Sequence, residues 1–113
     1  MPNCIFCKIA GGKIPAEVVR EDDELIAFED ISPKAPVHIL IVPKEHLSTL
    51  NDAGKEHGAL LGRMTLLAAE IAQDKGVAAG GYRVLINCNP DGGQEVFHLH
   101  MHMLGGKRMS GMG

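Results

Sequence analysis

The sequence predicts an α+β fold: an antiparallel sheet with helices packed on one side. Three observations predict it. Short apolar runs flank polar turns, as at residues 18–20 and 25–28 around Glu21-Asp22-Asp23. Leu60, Leu61, Met64, Leu67, Ala68 and Ile71 recur at helical spacing. Residues 96–104, VFHLHMHML, alternate histidine with apolar side chains, the period of a strand. Hairpin-like connections make neighbouring strands antiparallel, which places the chain in the α+β class.

Each element follows in order. Asn3 is a cap for a short helix through Ile9, closed by Gly11-Gly12. Residues 18–20 and 25–28 form a hairpin, and residues 30–36 (DISPKAP) are a loop of turn formers. Residues 38–42 (HILIV) are β-branched and apolar, a buried strand ended by Pro43. Asn51 or Asp52 caps the long helix, whose apolar stripe is core, and Gly76 stands just past its end. Residues 82–86 are a strand, 87–94 (NCNPDGGQ) a polar loop, and 96–104 the fifth strand. The Gly- and Met-rich tail, 105–113, reads as flexible.

The chain of 113 residues fits a single domain, 1–113. A domain of this size buries roughly two-thirds of its unfolded surface, so a core needs no disulfides. Trp is absent and aromatics are few, so the core is built from Leu, Ile, Val, Met and Ala. A net charge of −3 without a basic tract excludes general nucleic-acid binding. A small phosphate ligand remains open, because backbone N–H groups bind phosphate without a basic surface. The N-terminus lacks a basic and apolar leader, and runs such as 39–42 are too short to span a membrane. Three cysteines, an odd number, argue against a disulfide framework, and a reducing cytoplasm is expected.

His98, His100 and His102 share one strand face, and Phe97, Leu99, Met101 and Met103 share the other. Three readings stand: a solvent-facing strand, a catalytic metal site built on paired histidines, or nucleophilic catalysis by a neutral imidazole. The preceding loop favours the last. Gly92-Gly93 lets backbone N–H groups approach an anion closely, and an anion nest leading into histidines suits phosphoryl chemistry.

The run His98-Leu99-His100-Met101-His102-Met103-Leu104 resembles the histidine triad motif. Phe28-Glu29-Asp30-Ile31-Ser32-Pro33, Pro36-Val37-His38, Val42-Pro43-Lys44, Gly81-Tyr82-Arg83, Asp91-Gly92-Gly93-Gln94 and Leu104-Gly105-Gly106 extend the resemblance to the Hint branch of the histidine triad (HIT) superfamily. It covers residues 3 to 106. It implies a HIT-like fold, a five-stranded antiparallel sheet with two helices, joined to a second sheet across a homodimer. It also implies hydrolysis of purine nucleoside phosphoramidates without a metal at the phosphate. By the same resemblance His100 is the nucleophile, with His98 and His102 completing the triad. His102 and the Gly93 backbone hold the phosphate of a purine nucleotide of the AMP or GMP type, with Asn87 and Gln94 alongside. Asp30 accepts from the ribose, Ile5, Phe6, Phe28 and Ile31 wall the base, and His38 supports the triad. Composition alone reads those four apolar residues as plain core.

The chain departs from the pattern at Glu95, where many relatives carry a serine that helps protonate the leaving group. A carboxylate beside a phosphate is repulsive unless protonated or turned away. Glu95 is therefore either a general acid or a contact for a cationic leaving group.

Cys4-x-x-Cys7 is half of a zinc site, a redox dithiol, or a pair of free thiols. His46 and His98 are candidates for the other half. The resemblance extends to bacterial relatives and galactose-1-phosphate uridylyltransferases that hold zinc on Cys, Cys, His, His in this order, which implies a structural zinc. Cys88 has no partner at a suitable spacing and reads as a small buried apolar residue. Two further functions remain beside the phosphoramidase: a dinucleoside polyphosphate hydrolase and a nucleotide-binding adaptor without catalysis.

Overall fold

The computed structural model describes residues 3–112; Met1, Pro2 and Gly113 lie outside them. Helix α1 (Ile5–Ala10) starts later than an Asn3 cap predicts. Cys4 takes the capping position, its sulfur accepting from the Cys7 N–H at 3.4 Å. Strands β1 (Val18–Glu21) and β2 (Leu25–Glu29) form the expected hairpin. The Asp22 carboxylate closes it by accepting from the Glu24 and Leu25 N–H groups at 2.8 Å. Strand β3 (Val37–Pro43) runs through Pro43.

Helix α2 (Gly58–Asp74) carries the predicted stripe but not the predicted cap. The Asp52 carboxylate is engaged by the Thr49 N–H at 3.0 Å in a capping box that closes a 3-10 turn, Leu50–Asp52. Ala53 and Gly54 then run extended, and a second 3-10 turn, Lys55–His57, leads into α2. Gly76, at φ +73°, follows the C-terminus as expected.

Strands β4 (Tyr82–Leu85) and β5 (Met101–Gly105) complete a five-stranded antiparallel sheet in the order β1-β2-β3-β5-β4. The helices do not share a side, contrary to the sequence expectation. Leu25, Ala27, Ile39, Ile41, Met101 and Met103 pack under α2 with Leu60, Met64, Ala68 and Ile71. Ile26, Phe28, Leu40 and Val42 pack on the opposite face with Phe6 of α1. The unbroken apolar run of β3 is the reason, since a strand apolar on both faces needs cover on both.

The fifth strand is shorter than its alternation suggests. Pairing with β3 begins at Ile41↔Met101. Beyond it, the Pro43 carbonyl accepts from the His98 side chain at 2.7 Å and the Leu99 N–H turns to Leu47 O at 2.6 Å. These bonds replace the ladder, so His98 and His100 precede the strand and Phe97 is exposed. Gly106 follows at φ +91°, where a Cβ would lie 2.9 Å from Pro36 Cβ. Cys88 is half-buried, less enclosed than expected. Among the described residues, no helix is long and apolar enough to cross a membrane.

Met64 is fully buried between α2 and the sheet. Met64→Ala should cost about 2–5 kcal/mol, read as a lowered urea midpoint with unchanged m-value.

Candidate active site

The loop between β4 and β5 lies at the edge of the site. Pro90–Gly92 form a 3-10 turn, and Gly93 follows at φ +81°, a left-handed conformation that side chains resist. Asn87 Nδ2 donates to Gly92 O at 2.6 Å, closing the loop on itself. Gln94 is buried and turned inward. Its Oε1 accepts from the Asn89 N–H at 2.8 Å, and its Nε2 donates to Ser48 O and Val96 O at 2.8 and 3.0 Å.

The hydrogen bonds assign a proton to each imidazole in the cleft. A carbonyl only accepts and a backbone N–H only donates. His100 Nδ1 lies 2.7 Å from His98 O, so Nδ1 carries the proton and Nε2 keeps its lone pair. The Lys34 N–H donates to His38 Nδ1 at 3.1 Å, so His38 is protonated on Nε2 and donates to His102 Nδ1 at 2.9 Å. His102 then carries its own proton on Nε2. Asp30 Oδ2 is 3.5 Å from His38 Nε2. One imidazole thus offers a lone pair and its neighbour offers a donor, their ring centres 5.0 Å apart.

Desolvation keeps these rings neutral. Burial lowers the pKa of His38 and of His100 below the ordinary histidine value. His102 is pushed down to about 4, first by burial and then by its neighbours His100 and His38. Phe6 packs edge-on to His100 at 5.0 Å between ring centres, an apolar wall beside the lone pair.

Two hollows open side by side. One, about 560 Å³, is lined by His100 and His102 with Asp30, Asn87, Gly93 and Glu95. The other, about 910 Å³, is mainly apolar, and Ile5, Phe6, Phe28 and Ile31 line it. Phe6, Asp30, Leu40 and Glu95 border both, so the two form one cleft. Ile31 is almost fully exposed at its lip, and Glu95 is exposed where the hollows meet.

Sequence reasoning missed part of the lining. Ile9, Ile14 and Val18 extend the apolar hollow; the β1–β2 pairing sets Val18 opposite Phe28, and α1 and the loop after it bring Ile9 and Ile14. Lys34, Arg83, Lys107 and Arg108 make the polar hollow cationic. Arg83 Nη2 donates to Gly111 O at 2.9 Å, so the tail that reads as flexible lies along the site. The Gly81-Tyr82-Arg83 motif was the available signal for Arg83.

His98 is fully buried and lines neither hollow. Its Nε2–H donates to Pro43 O at 2.7 Å, leaving the Nδ1 lone pair toward Cys4 Sγ at 3.3 Å and Cys7 Sγ at 3.5 Å. His46 Nδ1 lies 3.3 Å from Cys7 Sγ, and its Nε2 lies 3.3 Å from Ser48 Oγ. All four ligand atoms fall within 4.8 Å of one another. Tetrahedral zinc–sulfur and zinc–nitrogen bonds place such atoms roughly 3.5 Å apart, so donor set and spacing fit a closed zinc site. Burial and then the neighbouring Cys4 raise the Cys7 thiol, a cost that a bound cation removes.

Comparisons with known proteins agree with this geometry. A HIT domain model matches residues 11–109. The purine nucleoside phosphoramidase of Escherichia coli (strain K12) is 51% identical over 108 residues, 96% of this chain and 91% of that protein. The crystal structure of a HIT family hydrolase from Legionella pneumophila Philadelphia 1 superposes with a TM-score of 0.94 at 50% identity, covering 96% of both chains. A Zn-bound histidine triad family protein from Mycobacterium smegmatis superposes with a TM-score of 0.81 at 30% identity, covering 94% of this chain and 76% of that one. With a neutral histidine pair beside a glycine loop and an apolar groove, and with a family match across most of its length, the chain belongs to the HIT domain family.

Proposed function

We propose that this HIT-family hydrolase cleaves purine nucleoside 5′-phosphoramidates through a nucleotidyl intermediate on His100. The observation that carries the reading is the bare Nε2 of His100, oriented by His98 O and open to the cleft. The phosphoramidase from Escherichia coli, at 51% identity, supports the substrate class.

In this reading the base lies among Ile5, Phe6, Phe28 and Ile31, Asp30 faces the ribose hydroxyls, and the phosphate rests on the Gly93 backbone and His102 Nε2–H. Asn87 and Gln94 shape that loop, since Asn87 Nδ2 is spent on Gly92 O and the Gln94 amide on the Asn89 N–H and on Ser48 O and Val96 O. His100 Nε2 attacks phosphorus, and the bond from phosphorus to the amine breaks. The amine leaves with a proton, for which Glu95 and His102 are within the same hollow. Water then adds at phosphorus, returning a proton to the group that gave one to the amine; the P–Nε2 bond breaks, its electron pair goes back to Nε2, and the nucleoside monophosphate departs.

A second reading has its own observation. Lys34, Arg83, Lys107 and Arg108 line the polar hollow, which suits an anionic leaving group such as that of a dinucleoside polyphosphate. An adaptor without catalysis has no use for the orientation of His100. The edge of β4, unpaired among the described residues, supports a homodimer whose sheets join there. Three cysteines outside any disulfide among the described residues support a reducing, cytoplasmic setting. Cys4, Cys7, His46 and His98 hold one structural zinc, which when bound ties α1 to the segment before β5.

Three measurements test this account. Wild type should release AMP from adenosine 5′-phosphoramidate, and His100→Ala should lose about 10³-fold or more in kcat/KM. Equal rates in the two proteins would sink the nucleophile, and release from diadenosine polyphosphate alone would favour the second reading. For the metal, purified protein should carry one zinc per chain, and Cys4→Ser or Cys7→Ser should melt about 10 °C or more lower. Purified wild type without zinc, or variants that melt like the zinc-loaded wild type, would remove the site.

The third measurement is stability against pH. His102 binds its proton near 6.5 when unfolded and near 4 when folded. Between those values the unfolded chain holds more protons, so the stabilisation is complete above about 6.5 and is lost as pH falls toward 4. Urea midpoints across that window should fall, and His102→Asn should show a shallower fall; an identical slope would contradict the shift.

A further inference from the structure

We propose that the Cys4, Cys7, His46 and His98 cluster positions the nucleophile, with His98 as the shared part. The proposal rests on the readings of His100 as nucleophile and of the cluster as a metal site. Three polar functions of His98 point three ways. Nδ1 faces the sulfurs of Cys4 and Cys7 at 3.3 and 3.5 Å. Nε2–H donates to Pro43 O at 2.7 Å. The backbone carbonyl accepts from His100 Nδ1 at 2.7 Å.

The last of these decides which nitrogen of His100 carries the proton, and so whether Nε2 has a lone pair to attack with. That carbonyl is not held by the sheet. Ladder pairing starts at Met101, and the bonds nearest the His98–Leu99 peptide are those of the His98 ring and of Leu99 N–H to Leu47 O at 2.6 Å. A ring fixed at both nitrogens, by a metal on Nδ1 and by Pro43 on Nε2, fixes the peptide behind it. Side-chain anchoring of this kind substitutes for the missing strand pairing.

Gln94 adds a second tie. It joins Asn89 in the glycine loop to Ser48, two residues beyond His46. The phosphate loop and the nucleophile are thus both fastened to the segment that carries His46. His98 is a positioning residue: it acts through His100 and does not touch phosphorus.

The test uses the full chain loaded with zinc, its histidines labelled with nitrogen-15, as wild type, His98→Ala and His98→Cys. Both variants remove the ring, but cysteine returns a metal ligand. Two-bond proton–nitrogen correlation reads the His100 tautomer, with adenosine 5′-phosphoramidate turnover measured beside it. Wild type should show a single Nδ1–H tautomer. His98→Ala should show a tautomer mixture, with kcat down about tenfold or more and KM within about twofold. His98→Cys should move back toward wild type in both.

A His98→Ala protein with a single Nδ1–H tautomer and wild-type kcat overturns the proposal. So does a His98→Cys protein that matches His98→Ala, and so does a wild type that takes up no zinc. Should no form release AMP, the phosphoramidase reading fails, and the tautomer comparison still decides the positioning role. If His98→Ala does not fold, His46→Ala, which keeps His98 and loosens the cluster, replaces it with the same expectation.

Discussion

The register of β5 against β3 is the constraint on which the site depends. Ile41 stands opposite Met101, Leu40 opposite His102 and Ile39 opposite Met103. Met101 and Met103 enter the layer under α2, and His102 points the other way, toward the cleft. A slip of one residue would carry His102 into an apolar layer beside Met64 and turn both methionines toward the cleft. Burial enforces the register, since Ile39, Ile41 and Met103 are each 0% exposed. At about 25 cal/mol per Å² of apolar surface, misplacing two methionines and a histidine costs several kcal/mol.

Around that apolar frame the buried polar groups are paired. His38, His98, His100, Gln94 and Thr49 each hold at least one backbone group. Buried His57 accepts from the Gly54 N–H at 2.9 Å and lies 3.2 Å from Glu45 Oε2, beside His46. Each bond satisfies a group that burial would otherwise penalise by about 1–3 kcal/mol, and each also orients a ring. The same burial depresses the protonation of His38, His100 and His102. Desolvation therefore does two things at once: it keeps the imidazoles neutral and makes their hydrogen bonds directional.

The site is divided more sharply than the alternating motif suggests. His100 and His102 face the cleft, while His98 faces the sulfurs. The division arises because the chain leaves the sheet between Leu99 and Met101. The Cys4, Cys7, His46 and His98 cluster and the His100–His102 cleft are consequently neighbours, joined through the His98 carbonyl.

Much of this was legible in the sequence, for local reasons. The stripe of α2, the apolar run of β3 and the β1–β2 hairpin are written in side-chain periodicity, which local backbone geometry imposes. His100 and His102 beside Gly93, and the Cys4-x-x-Cys7 pair, depend on spacings short enough to be read directly. What tertiary structure alone decided is whatever depends on distant chain. Cover on both faces of β3 put the helices on opposite sides. Pro43 O and Leu47 O, far away in sequence, delayed the start of β5 to Met101. The tail came to lie along the cleft through Arg83. Most of all, the proton positions on His38, His100 and His102 follow from which carbonyl or N–H each ring meets. Sequence supplies an imidazole with two equivalent options, and only the surrounding backbone chooses between them.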